Sequence, residues 1–314
     1  MQTLMVAGPT TIEPRSDKLM DVLTPFQYEF FTRGIAAAVL VGGTCGLLGV
    51  YIVLRGMSYI GHGMSHAVFG GAVVSYVVGF NYYVGAAIWG FLSAVLINEI
   101  SRRRKIKADA AIGVVTTAGF AIGVLFITAA QSFHRNFEAI LFGNILGISD
   151  QDLIVIILVS ILTVIFIFFF QKRLLFVSFD SETATVYGIR TEILEMAFAL
   201  VLALVVIASM NSIGVTLLAA AIVAPAISAR MLTNNFLRMI VLSSGIGIGT
   251  AFLGMYASFF FDSASGATIV LFGAGAFGIS SLYAFIRKAY HLHSHGLMKH
   301  THPHIHTDEH LHKH

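Results

Sequence analysis

Long apolar runs alternate with short polar stretches along most of the chain. A helix needs about 20 apolar residues to cross a hydrocarbon core roughly 30 Å thick, and about nine segments come close to that length. We therefore predict membrane-spanning helices, nine in number, with eight as the alternative. The predicted spans are residues 30–54, 63–79, 82–98, 110–131, 152–171, 193–210, 213–233, 238–260 and 265–286.

Apolar residues occupy every face of these segments. The stretch DLIVIILVSILTVIFIFFF at 152–170 shows none of the alternation that is typical of a membrane β-strand. Of the 314 residues, 57% are hydrophobic and 11% are charged, against about 25% charged in soluble domains. The sequence predicts an all-α, polytopic transmembrane helix bundle in a lipid bilayer.

Basic residues indicate the orientation of the bundle. The densest basic cluster, SRRRKIK at 101–107, follows the third predicted span, and basic loops remain in the cytoplasm. Counting from there predicts the N-terminus outside and the C-terminus in the cytoplasm. The chain then divides into an extracytoplasmic segment at 1–29, a transmembrane domain at 30–289 and a cytoplasmic tail at 290–314. A formal charge of only +3, with basic residues at span ends, gives no support for nucleic-acid binding.

Small residues recur at three- to four-residue spacing within several spans. Examples are GGTCGLLG at 42–49 and SSGIGIGTAFLG at 243–254. Such spacing allows helix backbones to approach closely. We expect a compact bundle in which one face associates with a second copy of the chain.

Two histidines stand one helical turn apart in the stretch GHGMSHA at 61–67. His62 and His66 are at positions i and i+4, so their rings share one face of a helix. Imidazole is a good ligand for zinc and neighbouring first-row metals, and ionisable residues inside spans usually have a function. The pair is a candidate metal path. The alternative is a polar pair that hydrogen-bonds between helices, or that lies near the membrane interface, where its cost is small.

One cytoplasmic connection differs from the short loops elsewhere. Residues 174–190, LLFVSFDSETATVYGIR, contain Asp180 in the position of a helix N-cap, an acidic first turn, and Gly188 about two turns later. This order of residues is typical of a short capped helix. We predict such a helix on the cytoplasmic face.

The tail at 290–314 holds most of the 13 histidines of the chain. Its composition is typical of metal-binding, low-complexity segments that build no core. It could serve as a metal buffer or sensor, or it could have no essential role. The candidate secondary ligands are His291, His293, His295, His300, His302, His304 and His306.

The sequence around the histidine pair resembles the integral permease subunits of ATP-binding-cassette importers for zinc, manganese and related metals. That family has the motif Gly-Asp-x-x-Ser-His-Ala before a glycine-rich helix, and the chain matches it at Gly61, Ser65, His66 and Ala67. His62 stands where the family usually has aspartate. His66 is thus implied as a metal ligand or pathway residue, and His62 by position alone.

Three further stretches carry the resemblance over nearly the whole chain. KADAAIGVVTTAGFAIGVLFI at 107–127 is similar to the family stretch in which an acidic residue precedes Ala-Ile-Gly, and the span containing Pro225 resembles a late family span. The cytoplasmic motif Phe-Asp-x-x-x-Ala-x-x-x-Gly, which lies against the ATPase subunit in the family, is matched by Phe179, Asp180, Ala184 and Gly188.

The resemblance implies a transport subunit in a bacterial or archaeal cell membrane rather than an enzyme. The chain has no Gly-x-x-x-x-Gly-Lys-Ser/Thr phosphate loop, so ATP hydrolysis is expected on a separate ATP-binding subunit, in two copies around a permease homodimer. An extracytoplasmic binding protein would deliver the metal, and no cofactor would be bound permanently. Histidine in place of aspartate, together with the histidine-rich tail, favours zinc over manganese.

Two functions from other classes compete with this interpretation. One is a secondary metal carrier or channel that works without ATP, although proton-coupled carriers usually bury more carboxylates within their spans than are present here. The other is a membrane metal sensor that signals through the tail.

Overall fold

The computed structural model of the chain describes residues 24–57, 59–102, 108–129, 141, 143 and 145–293. All regular structure in these ranges is helical, and short 3₁₀ turns lie at Thr24–Gln27 and Ile145–Gly147. The α-helices are α1 Glu29–Leu54, α2 Ile60–Val78, α3 Tyr82–Arg102, α4 Ala108–Ala129, α5 Asp150–Phe179, α6 Ser181–Val186, α7 Thr191–Ile213, α8 Val215–Leu232, α9 Phe236–Phe261 and α10 Ser265–His293.

The predicted all-α transmembrane bundle is confirmed. Nine of the described helices have at least 18 residues, and eight of these are long and apolar enough to span a membrane. The exception is α2, which carries the histidine pair. This helix packs against α3, α4 and α8, and most of its residues are buried. The described residues thus give eight candidate spans, which is the alternative count, and a ninth span at α2 stays a prediction.

Two helices extend further than the sequence predicted. The predicted span 152–171 belongs to α5, which continues through Lys172 and Arg173 to Phe179, so the cytoplasmic segment predicted at 174–190 begins only at Asp180. Similarly, α10 continues to His293, into the predicted tail. Lysine and arginine are good helix formers whose long side chains reach the membrane surface. Such residues mark the edge of the membrane without ending the helix.

Glycines bring the helix backbones into direct contact. A Cβ atom on Gly42 of α1 would lie 2.4 Å from the carbonyl oxygen of Gly247 in α9. One turn further along, Ser243 donates a hydrogen bond of 2.6 Å to the carbonyl oxygen of Gly46. The predicted close packing through small residues is therefore present within the chain. Association with a second copy remains a prediction.

Candidate functional site

The two histidines lie one above the other on α2. Tyr59 is the N-cap of this helix, so both rings are near its first turns. The Nε2 atoms of His62 and His66 are 3.1 Å apart, and the ring centroids are 4.4 Å apart at an interplanar angle of 80°. Both side chains are partly exposed. The predicted convergence of the two rings is present.

This spacing matches that of two neighbouring ligands on one metal ion. Zinc binds imidazole nitrogen at about 2.0–2.1 Å. Two such nitrogens would be about 3.3 Å apart at a tetrahedral angle and about 2.9 Å apart at a right angle. The observed 3.1 Å between the Nε2 atoms lies between these values. The distance between the two Nε2 atoms is therefore compatible with two ligands on one ion, and it is also that of a hydrogen bond between the rings.

The surroundings of the pair are aromatic. The ring of His66 packs edge-on against Phe120 of α4 with centroids 4.8 Å apart, and the ring of His62 lies 5.3 Å from that of Tyr59. The hydroxyl of Ser65 between them donates to the carbonyl oxygen of Gly61 at 2.8 Å. Among the described residues, no group of three His, Cys, Asp or Glu side chains converges. The pair therefore offers two protein ligands.

Among the described residues, the histidine pair forms no hydrogen bond that joins two helices. His62 and His66 contact each other within one helix, so their interaction does not join two helices. The Nδ1 atom of His66 is buried and has no hydrogen-bond partner. Leaving such a group unsatisfied costs about 1–3 kcal/mol, whether or not Nε2 binds an ion.

The predicted short helix is present as α6. The carboxylate of Asp180 caps it by accepting a hydrogen bond of 2.9 Å from the backbone N–H of Thr183 and another from the Thr183 hydroxyl. These bonds stabilise the charged form and lower the pKa of Asp180. At the other end, Gly188 has a φ of +81°. Its N–H donates to Thr185 and that of Ile189 to Ala184, which is a Schellman motif.

An apolar surface surrounds α6. The side chains of Phe179, Val186 and Tyr187 are 73%, 85% and 75% exposed, whereas Ala184 is fully buried. Apolar side chains clustered at a helix that projects from the bundle are typical of a protein docking surface. Of the four residues predicted to contact an ATPase, Phe179 is exposed and Ala184 packs inside the chain, and the contact itself stays a prediction.

Beside α6 lies a cavity of about 960 Å³ that sequence reasoning missed. It is bounded by the ends of α1 and α3, the starts of α2, α4 and α7, and by α6. Arg55 and Glu195 both line it. In the sequence, nothing local to Arg55 indicates which helices it contacts.

The opposite end of the bundle carries a polar cluster that was also missed. Asp152 completes a capping box with Ser149 at the start of α5. Its carboxylate also accepts hydrogen bonds from the Tyr83 hydroxyl of α3 and, at 3.2 Å, from the Asn211 amide of α7. Asn211 is a polar residue inside an apolar run, and this position was the one feature of the sequence that could have indicated the cluster.

The histidine tail contributes little to the described structure. The backbone at His291 and His293 forms the last turn of α10. The other predicted tail ligands lie outside the described residues, and these are His295, His300, His302, His304 and His306.

Comparison with known proteins identifies the family. Residues 27–284 match the family described as the ABC 3 transport family. The chain is 38% identical over 258 residues to the manganese transport system membrane protein MntC of Listeria monocytogenes, covering 82% of this chain and 92% of the relative. It is 32% identical over 249 residues to the chelated iron transport system membrane protein YfeC of Yersinia pestis, covering 79% and 84%.

A solved structure has the same fold. The match is to PsaBC from Streptococcus pneumoniae in complex with Fab, at 34% identity and a TM-score of 0.73, covering 81% of this chain and 92% of that chain. The likeness thus extends over most of both chains, as do the sequence matches. The chain belongs to the ABC 3 transport family, in which it is a multi-pass, non-catalytic membrane permease.

Proposed function

We propose that the chain is the permease subunit of an importer for divalent transition metals, in which His62 and His66 line the path of the ion. The observation that carries the proposal is the 3.1 Å separation of the two Nε2 atoms on one face of α2. The names of the relatives, which are for manganese and iron transport, support the same class of cargo. Water and groups outside the described residues would complete the coordination.

Two ATP-binding subunits would drive the transport from the cytoplasmic side. The support is the exposed apolar surface at Phe179, Val186 and Tyr187 around the rigidly capped α6. Membership of an ABC transport family also implies a separate ATPase. Two copies of the permease would surround the path, and ATP-driven movement of α6 would alternate its access between the two sides of the membrane.

At the outer face, an extracytoplasmic binding protein would deliver the metal. This assignment uses the orientation derived from the basic cluster at 101–107, which puts α6 inside and the Tyr83–Asp152–Asn211 cluster outside. The helix directions agree with it, because the ends of α1 and α5 meet near α6 through the hydrogen bond between Arg55 and Ser178.

Two observations give different preferences for the metal. The relatives' names favour manganese and iron, whereas two neutral imidazoles favour ions that prefer nitrogen ligands, such as zinc. We keep zinc as the narrower hypothesis, because it rests on residues of this chain. Direct competition between zinc and manganese tests it, and faster uptake of manganese at equal concentration would reject it.

The test of function is uptake into proteoliposomes that contain the chain with its ATPase and binding protein. Radioactive zinc and manganese are supplied with and without ATP. ATP-dependent accumulation supports the importer, and uptake that is indifferent to ATP supports a carrier or channel. Deletion of residues 294–314, which follow α10, distinguishes an importer from a metal sensor. An importer keeps its transport without these residues, whereas a sensor loses its function.

A further inference from the structure

Arg55 connects three helices at the end of the bundle that carries α6. It is the C-cap of α1. Its Nε atom donates a hydrogen bond of 3.1 Å to the hydroxyl of Ser178 in the last turn of α5. Its guanidinium carbon lies 4.9 Å from the centre of the Phe198 ring in α7. Since α5 and α7 directly precede and follow α6, a movement of α6 reaches Arg55 from both sides.

A short hydrogen-bonded turn joins Arg55 to the histidine pair. The N–H of Met57 donates to the carbonyl oxygen of Ile52 at 3.1 Å, and the N–H of Ile60 donates to that of Met57 at 2.9 Å. The ring of Tyr59 in this turn lies 5.3 Å from the ring of His62. Arg55 and the first turn of α2 are therefore only a few residues apart along the chain and are joined by backbone hydrogen bonds.

Arg55 also shares a cavity with an acidic residue, Glu195. Its Nη2 atom is buried without a hydrogen-bond partner, and Glu195 lines the same cavity. The ion pairs among the described residues join Arg33 to Glu29 and Asp150, and none joins Arg55 to Glu195. Burial lowers the pKa of Arg55, and the charge of Glu195 raises it. Arg55 and Glu195 thus line one cavity without forming an ion pair.

From this arrangement we infer that Arg55 is a positioning residue that couples α6 to the histidine pair. In the described conformation the guanidinium is held by Ser178 and Phe198. When the cavity closes, the free Nη2 atom gains Glu195, and the turn that carries Tyr59 moves with it. This inference rests on the proposed function, because it requires an ATPase that moves α6.

The test measures the number of ATP molecules hydrolysed per metal ion taken up by the complete reconstituted transporter. We expect Arg55→Gln to raise this ratio about tenfold, since it removes the cation–π contact and the charge. Arg55→Lys should restore part of the coupling, because lysine keeps the charge but not the planar fork. Phe198→Leu should raise the ratio as well, and it keeps the test valid if Arg55→Gln fails to fold.

The matched control is Arg230→Gln. Arg230 also contacts the end of α1, since its Nη1 atom donates to the carbonyl oxygen of Val53 at 3.2 Å, but it comes from α8 rather than from a helix beside α6. Its ratio should remain at the wild-type value. Metal binding to the nucleotide-free complex should be unchanged in every variant.

Two results overturn the inference while leaving the proposed function intact. One is an unchanged ratio in both Arg55→Gln and Phe198→Leu. The other is an equal rise in Arg230→Gln, which would show a general loss of packing at this end of α1. If uptake by the wild type does not depend on ATP, the proposed function fails, and the role of Arg55 fails with it.

Discussion

His62 and His66 lie with their Nε2 atoms 3.1 Å apart on one face of α2, the long helix that is not apolar enough by itself to count as a membrane span. Each ring packs beside an aromatic ring, that of Tyr59 for His62 and that of Phe120 for His66. The bundle thus packs around a helix that carries two imidazoles on one face. Each histidine can therefore be replaced separately to test its part in metal uptake.

Replacement of His66 by alanine should abolish metal uptake. The substitution removes one of two protein ligands, and we expect a loss of at least about tenfold in ATP-dependent uptake by proteoliposomes. Ser65→Ala is the matched control, because its hydroxyl bonds only to Gly61 of its own helix and its loss should cost about 1 kcal/mol of stability. Equal uptake by His66→Ala and the wild type would remove His66 from the path.

Replacement of His62 by aspartate should shift the metal preference towards manganese. A carboxylate oxygen is a harder, anionic ligand than a neutral imidazole nitrogen. The measurement is the ratio of zinc to manganese uptake in one competition assay. If the substitution leaves this ratio unchanged, His62 has no part in metal selection.

The docking of α6 should depend on pH through Asp180. Hydrogen bonds from Thr183 hold its pKa below the ordinary value of 3.8, so the cap is fully present above that value and is lost as the cytoplasmic-side pH falls through the lowered one. We expect Asp180→Ala to reduce co-purification of the ATPase at neutral pH. Asp180→Asn caps the helix without titrating, and it should retain co-purification down to lower pH than the wild type. Identical pH profiles of co-purification for Asp180→Asn and the wild type would contradict a role of the Asp180 carboxylate in docking.

Replacement of Gly188 by alanine should weaken coupling through backbone strain alone. A Cβ atom there would meet nothing within 4 Å, but the φ of +81° is unfavourable for alanine by about 1–2 kcal/mol. The expected result is a decrease of roughly tenfold in metal-stimulated ATP hydrolysis. Gly113→Ala provides the control, because its Cβ also has open space and its backbone has no positive φ. A normal rate in Gly188→Ala would show that the end of α6 tolerates rearrangement.

Replacement of Gly70 by alanine should destabilise the bundle. The new Cβ atom would lie 2.1 Å from the carbonyl oxygen of Gly119 in α4, so α2 and α4 must separate. Overpacking of this kind costs about 1–3 kcal/mol. Thermal unfolding in detergent should show a lower Tm than for Gly113→Ala. Equal Tm values would mean that α4 shifts without cost.

The sequence was sufficient for features that depend on neighbouring residues. Apolar runs predicted the long helices, and Asp180 and Gly188 predicted the two ends of α6 correctly. Features that join distant parts of the chain were not predictable in this way. Arg55 and Ser178 are 123 residues apart, and no local pattern relates them, because their contact depends on how α1 and α5 pack.

The polar cluster at the end of the bundle opposite α6 has a consequence for biogenesis. Tyr83 emerges from the ribosome 69 residues before Asp152 and 128 residues before Asn211. During synthesis, the Tyr83 hydroxyl must therefore be satisfied by water or by the insertion machinery until the later helices arrive. The complete set of hydrogen bonds that joins these ends of α3, α5 and α7 can form only after α7 has been inserted. A nascent chain that ends before α7 therefore lacks the bonds to Asn211.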